Sequence, residues 1–86
     1  MSASAWVEEA SHVGEYVIRV RFSDGVEGDV DLSELVSMDP RAIVAPLKDM
    51  HYFARFRVDL DTVVWDNGFD LAPEYLRSLL RGTSAA

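Results

Sequence analysis

The fold of this chain is decided by the stretch Val63-Val64-Trp65-Asp66-Asn67-Gly68-Phe69-Asp70-Leu71-Ala72-Pro73-Glu74-Tyr75-Leu76. The β-branched and aromatic run 63–65 predicts a buried strand. Asn67-Gly68 can adopt the positive φ angles of a sharp reversal. Pro73 suits the first position of a helix, where its missing N–H is not needed. The stretch therefore predicts a strand, a tight turn and a helix start in immediate succession.

The helix is predicted over 73–81, with Glu74 near its positive end, where a carboxylate is favourable. Its apolar face consists of leucines at helical spacing, Leu76, Leu79 and Leu80. Gly82 is predicted to end the helix, and 83–86 to form a disordered tail. We expect this helix to cover one face of a sheet.

The clearest sheet signal is a pair of alternating segments, 16–22 and 26–32, each with one apolar face. Residues directly opposite each other in a hairpin share a face, so the pattern fixes the register. A two-residue turn would mix the faces, whereas the three-residue loop Ser23-Asp24-Gly25 matches them. We therefore predict a type I turn with Gly25 in the left-handed conformation. The same register sets the acidic row Glu27, Asp29 and Asp31 on one face, with Arg19 and Arg21 opposite.

Segment 6–11 predicts an edge strand, but its pattern does not show which face is buried. One alternation groups Trp6, Glu8 and Ala10, and the other groups Val7, Glu9 and Ser11. The turn after it is predicted at 13–15. A second hairpin is predicted to pair 56–58 with 63–65 across the loop 59–62, with Val58 opposite Val63 and Phe56 opposite Trp65.

The connection between the hairpins predicts two short helices and one extended segment. Either Asp31 or Ser33 can cap a helical turn over 34–36, and Asp49 can cap a helix over 50–55 that buries Met50, Phe53 or both. Pro46 argues against a central strand, so 41–47 is predicted to be extended, with Ile43, Val44 and Leu47 on the core. Together these elements predict a single α+β domain over 1–86, with an ordered core of about 6–82 and a small antiparallel sheet built from hairpins.

Charge is the one global property that bears on function. Fifteen acidic residues against eight Lys and Arg give a net charge of −7. Because phosphate backbones are bound by clustered cations, we expect no nucleic-acid binding by this domain alone. A negative surface favours encounter with a basic protein, and simple solubility explains it equally. No apolar run is long enough for a membrane span, no signal-peptide pattern is seen and cysteine is absent, so we expect a cytoplasmic protein.

No residue set predicts catalysis. His12 and His51 lie on different predicted elements, and neither has a partner at an indicative spacing. Asp66, Asp70 and Glu74 surround the central turn, where carboxylates also serve turn and helix-start chemistry. We therefore expect no catalytic residue, no metal and no cofactor, and not an enzyme. The candidate interface residues are Trp6, Glu27, Asp29 and Asp31; Gly25, Trp65, Asn67, Gly68, Asp70, Pro73 and Glu74 are taken as structural.

Several motifs resemble the domain-of-unknown-function 2442 family of short bacterial proteins. They are Phe22-Ser23-Asp24-Gly25, Val30-Asp31-Leu32, Ala45-Pro46-Leu47-Lys48-Asp49, Tyr52-Phe53 and Val64-Trp65-Asp66-Asn67-Gly68-Phe69-Asp70-Leu71-Ala72-Pro73-Glu74. The resemblance covers about 6–80 and implies a small α+β fold, with no established catalytic residue. It also implies a neighbouring gene for another small protein, as in a toxin–antitoxin pair whose acidic antitoxin is this chain. Longer relatives carry a helix-turn-helix domain, for which this sequence has no counterpart.

The leading hypothesis is thus a non-enzymatic protein-binding module, the antitoxin-like partner of a small basic protein. The alternative is a regulatory module associated with a DNA-binding domain or transcription regulator. Unpaired edge strands are also compatible with a homodimer.

Overall fold

The computed structural model describes residues 5–84, which fold into two antiparallel sheets and short helices. The elements in chain order are β1 (Val7–Gly14), β2 (Val17–Phe22), β3 (Glu27–Asp31), α1 (Ser33–Met38), a 3₁₀ helix (Ala45–Lys48), α2 (Met50–Phe53), β4 (Arg57–Asp59), β5 (Thr62–Val64), β6 (Asp70–Leu71), α3 (Pro73–Ser78) and β7 (Leu80–Ser84). One sheet has the strand order β1-β2-β3-β7 and the other β4-β5-β6. The predicted α+β class is confirmed. Within the described residues, none of the helices is long and apolar enough to cross a membrane.

The β2–β3 hairpin has the register that alternation predicts. Ile18 lies opposite Val30, and Val20 opposite Gly28. The amide of Phe22 donates to the carbonyl oxygen of Val26 at 2.8 Å, which closes the predicted three-residue loop. Gly25 has φ +88°, so the left-handed position is confirmed.

The irregular register of strand β1 explains why its sequence pattern is ambiguous. Its register against β2 shifts between Val7 and Glu9, and again between His12 and Gly14. Such bulges change which side chains face inward, so no single alternation describes the strand. Val7 is buried, whereas Ala10 and His12 pair with inward-facing residues of β2. The following turn is Glu15-Tyr16 rather than 13–15, and Glu15 is the residue with positive φ.

The central stretch forms a hairpin that the sequence did not predict. After the turn, β6 returns along β5, with Leu71 opposite Val63, before α3 begins at Pro73 as expected. The turn repeats the geometry of the first hairpin. The amide of Trp65 donates to Phe69 as Phe22 does to Val26, and Gly68 takes φ +92°. In both turns a side-chain oxygen of the residue before glycine also accepts a backbone N–H: Asn67 accepts from Phe69, and Asp24 accepts from Val26.

The β4–β5 hairpin pairs Val58 with Val63 as predicted. The ring centroids of Phe56 and Trp65 lie 5.9 Å apart, in agreement with their predicted pairing. The two residues between the strands, Leu60 and Asp61, have φ of +51° and +69°. Positive φ at both positions is typical of the tightest hairpin turns, which favour Asn-Gly.

Two predictions about the connecting segment have different outcomes. Asp49 caps α2 as expected, since its carboxylate accepts the backbone N–H of His51 at 2.9 Å. The predicted extended segment 41–47 is wrong, because the chain turns and then forms the 3₁₀ helix, with Pro46 in its first turn. A proline fits that position because no helical hydrogen bond is lost there. Val44 and Leu47 still reach the core, whereas Ile43 is exposed.

The predicted helix 73–81 is too long. Helix α3 ends at Ser78, and the chain then enters β7, which pairs with β3. Gly82 therefore lies within a strand and does not stop a helix, and Thr83 and Ser84 are strand residues rather than a disordered tail. The predicted tail residues 85–86 lie outside the described residues. The free edge of β3 provides hydrogen-bond partners for residues 80–84. The local sequence pattern of these residues cannot reveal that partner.

The core lies between the two sheets and is closed by the helices. Sheet side chains meet Trp65 and Phe53 at its centre, and Leu76 of α3 is fully buried, as predicted. Leu79 and Leu80 are only partly buried. The buried apolar side chains are Val7, Ile18, Val20, Phe22, Val30, Leu32, Val36, Val44, Leu47, Phe53, Val63, Trp65, Phe69, Leu71 and Leu76.

Candidate functional site

The Asn67 turn has a structural role, because its polar groups are used within the chain. The Asn67 side-chain amide donates to the carbonyl oxygen of Ile43 at 2.9 Å. Its backbone N–H donates to the Tyr52 hydroxyl at 3.1 Å. The turn therefore joins the second sheet to the connecting segment and to α2. These long-range contacts explain why asparagine, rather than any turn residue, occupies the position.

The three carboxylates around this turn do not form an acid–base site. The Asp66 carboxylate bonds the Arg57 guanidinium at 2.5 Å and lies 3.8 Å from that of Arg55. Asp70 and Glu74 are exposed, and Glu74 lies in the first turn of α3 as predicted. Among the described residues, no group of three or more His, Asp or Glu is placed to hold a metal ion.

The acidic row on β3 is ion-paired within its own sheet. Arg19 contacts Asp29, its predicted partner across the hairpin, at 3.2 Å and also reaches the diagonal Glu27 at 3.5 Å. Arg21 lies opposite Glu27 as predicted, but its guanidinium contacts Glu8 and Glu9 of β1 instead. Arg81, which the sequence placed at a helix end, reaches Asp31 at 3.9 Å from β7 instead. These three candidate interface residues therefore lie on a cross-paired, partly exposed sheet face. Exposed pairs of this kind contribute little stability.

Three carboxyl groups have pKa values below the ordinary value of 3.8, and each is held by a local hydrogen bond. The Arg41 guanidinium, with added help from the Arg41 backbone N–H, lowers the pKa of Asp39 to about 2. The Arg77 guanidinium lowers the pKa of Asp24, joining the first hairpin turn to α3. Hydrogen bonds from Ser33, the first residue of α1, lower the pKa of Asp31, although the N-cap position itself is Leu32 and has no side-chain cap.

The charges of the surface are distributed unevenly. Each of the seven arginines lies within 4.0 Å of a carboxylate oxygen of the same chain. Among the described side chains, six carboxylates have no lysine or arginine at that distance: Glu15, Glu34, Asp49, Asp61, Asp70 and Glu74. Most of the net negative charge is therefore carried by exposed, unpaired acids, while each arginine lies beside a carboxylate.

One open groove lies beside helix α1. It has a volume of about 740 Å³ and is lined by side chains that include Tyr16, Glu34, Val36, Ser37, Met38 and Lys48. The Tyr16 hydroxyl donates to the Lys48 carbonyl oxygen at 2.5 Å and closes one end. We call this the α1 groove. Met38 projects from it with 71% of its surface exposed.

Large apolar side chains are also exposed outside the groove, among them Val13, Trp6 and Leu60. Trp6, predicted as an interface residue, is 48% exposed, whereas Trp65 is 1% exposed and belongs to the core as predicted. Leu60, at the β4–β5 turn, is 87% exposed, and sequence reasoning did not select it. The available signal was its position, since Asp59-Leu60-Asp61 places an apolar residue between two acids in a predicted loop.

The two histidines lie apart from these features. The His12 ring packs edge-on against Phe53, with centroids 5.9 Å apart, and its Nε2 lies 2.7 Å from the Glu15 carbonyl oxygen. His51 contributes its backbone N–H to the α2 cap. The His12 ring therefore has local structural partners, whereas the described contact of His51 is made by its backbone.

Comparison with known proteins gives one match. The family model described as "Protein of unknown function (DUF2442)" matches residues 7–82. No curated protein and no solved structure matches the chain. Of the motifs quoted above, two contain the turns at Gly25 and Gly68, and the second of these continues into the start of α3. The chain therefore belongs to the DUF2442 family of proteins of unknown function.

Proposed function

We propose that this domain is a non-enzymatic, cytoplasmic protein-binding module that pairs with a small basic protein, as an antitoxin pairs with its toxin. The observation that carries the proposal is the charge distribution. All seven arginines lie beside carboxylates of the same chain, so the described residues present no arginine whose charge is not partly offset by a neighbouring carboxylate. The unpaired carboxylates leave a negative surface that accelerates encounter with a positive one.

The physical basis is electrostatic steering rather than a single strong contact. The six unpaired carboxylates are exposed, so they can act on the charge of a partner, although Asp49 also caps α2. Complementary charge across an interface raises the association rate and disfavours wrong partners. Both effects weaken as salt is added, which gives the proposal a measurable signature.

The direct test is co-expression of the full chain, carrying an affinity tag, with the protein encoded by the neighbouring gene. We expect the two to co-purify as a stable complex at moderate salt. A variant that neutralises three unpaired carboxylates away from the core, Glu15→Gln, Glu34→Gln and Asp70→Asn, should associate more slowly and lose part of the salt dependence. A neighbour that never associates, and whose expression alone is harmless to the host cell, would refute the proposal.

A gel-shift experiment distinguishes the proposed protein-binding module from the alternative, a regulatory module associated with a DNA-binding domain. We expect the purified chain to leave the mobility of duplex DNA unchanged at moderate salt, because its arginines are engaged. Retarded DNA that returns to its free mobility as salt is raised would favour the alternative.

A further inference from the structure

The β4–β5 turn carries a side chain that neither folding nor turn chemistry requires. Leu60 has φ +51° and Asp61 has φ +69°, in the left-handed region where an L side chain crowds the backbone. A two-residue hairpin turn favours Asn-Gly there. Burial does not compensate, because Leu60 is 87% exposed. Residues retained in such a conformation cluster at sites of function.

The second exposed residue is held next to this turn. The backbone N–H of Val7 donates to the carbonyl oxygen of Asp61 at 2.9 Å, so the chain next to Trp6 is held against the turn that carries Leu60. Trp6 is fixed again on its other side. The backbone N–H of Trp6 donates to the Ser23 hydroxyl at 3.1 Å, and the backbone carbonyl oxygen of Trp6 accepts the Ser23 N–H at 2.8 Å.

These contacts fix the backbone positions of two exposed apolar residues. Trp6, Asp59, Leu60 and Asp61 are here called the Trp6–Leu60 end. Its backbone is tied to both the β2–β3 turn and strand β1, so exposing two large apolar side chains there does not depend on a loose terminus. Preorganised aromatic and aliphatic anchors contribute most of the affinity in protein interfaces, because little conformational entropy is lost on binding.

The charge of this end specifies the partner. Asp61 has no lysine or arginine within 4.0 Å among the described side chains. Asp59 has only a 3.9 Å contact with Arg57, whose other guanidinium nitrogen is engaged by Asp66 at 2.5 Å. An apolar anchor between two available carboxylates fits an apolar pocket with a basic rim.

We propose that the Trp6–Leu60 end is the surface by which the domain holds its basic partner. Leu60 enters an apolar pocket of that protein, Trp6 packs beside the pocket, and Asp59 and Asp61 face basic side chains at its rim. This inference rests on the proposed function and adds to it the face that is used. It assigns no partner role to the α1 groove.

The sharpest test is Leu60→Asn in the full chain. Asparagine tolerates the left-handed conformation, so the fold should be kept or strengthened while the anchor is lost. With the neighbouring gene's protein as the probe, we expect at least about a tenfold weaker Kd. The matched control is Met38→Gln, which removes another strongly exposed apolar side chain, in the α1 groove, and should leave the Kd unchanged. An unchanged Kd for Leu60→Asn together with a weaker Kd for Met38→Gln would overturn the inference, while the proposed function would stand.

The two tryptophans provide an independent readout in the wild-type chain. Acrylamide should quench the half-exposed Trp6 and spare the buried Trp65. Binding of the neighbour protein should protect Trp6 and shift its emission to shorter wavelength. A synthetic lysine–leucine amphipathic peptide is the second probe, with a glutamate–leucine peptide as its control. We expect protection by the lysine peptide alone.

The outcomes separate the two claims. Association of the neighbour protein without protection of Trp6 overturns the assigned face and leaves the proposed function in place. If the neighbour does not associate and the lysine peptide gives no protection, both claims fail. Concentration-dependent dimerisation that itself protects Trp6 would show a second copy of the chain on this end, and would also overturn the inference.

Discussion

The indole N–H of Trp65 donates a hydrogen bond to the carbonyl oxygen of Phe53, 2.9 Å away in the buried core. The bond joins strand β5 to the end of helix α2, and the two rings also pack together, with centroids 5.8 Å apart. Trp65 therefore fills the centre of the core and satisfies a buried acceptor at the same time. Both contributions would be lost by removing the indole.

Trp65→Phe should lower the free energy of unfolding by about 2–4 kcal/mol, because it leaves a cavity and an unsatisfied carbonyl oxygen. Urea unfolding followed by circular dichroism measures the change. Trp6→Phe is the control and should cost less than about 1 kcal/mol, since its side chain is half exposed. Equal losses for the two variants would contradict the assignment of Trp65 to the core.

Glycine is required at the first hairpin turn for its backbone angle alone. At Gly25, with φ +88°, an added Cβ meets no atom within 4 Å, so the cost of a side chain is conformational and not steric. We expect Gly25→Ala to lower the unfolding free energy by about 1–2 kcal/mol. Gly14→Ala is the matched control, because that site is equally open and lacks positive φ. It should be neutral or slightly stabilising. Indistinguishable midpoints in urea would refute the argument.

Replacing the two residues of the β4–β5 turn by those that its backbone angles favour should stabilise the fold. Leu60→Asn with Asp61→Gly relieves two left-handed L residues and is expected to raise the unfolding free energy by about 1 kcal/mol or more. Thermal and urea unfolding measure the gain. A stabilised variant that still binds its partner normally would show that Leu60 is not an anchor, whereas a loss of stability would show that the turn geometry has been misassigned.

Stability should fall in a defined acid range. The Arg41 ion pair lowers the pKa of Asp39 from 3.8 to about 2, so the ionised form is favoured in the folded state. The resulting stabilisation is complete above about pH 4 and is lost as the pH falls towards 2. The lowered pKa values of Asp24 and Asp31 act in the same direction.

Asp39→Asn removes that titration and tests it. Its melting temperature should lie below that of the wild type at pH 6, and the difference should shrink as the pH approaches 2. Differential scanning calorimetry across the pH range gives the comparison. A difference that stays constant, or grows, at low pH would contradict the ion-pair explanation.

Local pattern predicted the parts of the fold that local chemistry controls. Strict alternation was sufficient for the β2–β3 register, and the Gly25 and Asp49 positions followed from turn and cap chemistry. Strand β7 was missed because Leu76, Leu79 and Leu80 continue a helical spacing past the residue where the chain turns. What draws 80–84 into the sheet is the open edge of β3, a partner far away in the sequence.

Only one of the two apolar residues of the Trp6–Leu60 end could be predicted from the sequence, for a similar reason. Trp6 was selected because an aromatic residue on an edge strand suggests an interface. Leu60 was not, because its exposure and its left-handed backbone depend on a two-residue turn that the sequence placed in a vague loop. The link between its turn and the chain next to Trp6 is the hydrogen bond between Val7 and Asp61, which crosses between the two sheets.

The central claim is that this acidic domain binds a basic protein, and isothermal titration against the purified neighbouring-gene product at low and high salt tests it most directly. The account predicts saturable binding with a Kd that weakens as salt is raised, because complementary charges are screened. Absence of binding at both salt concentrations, or an affinity that does not change with salt, would contradict it.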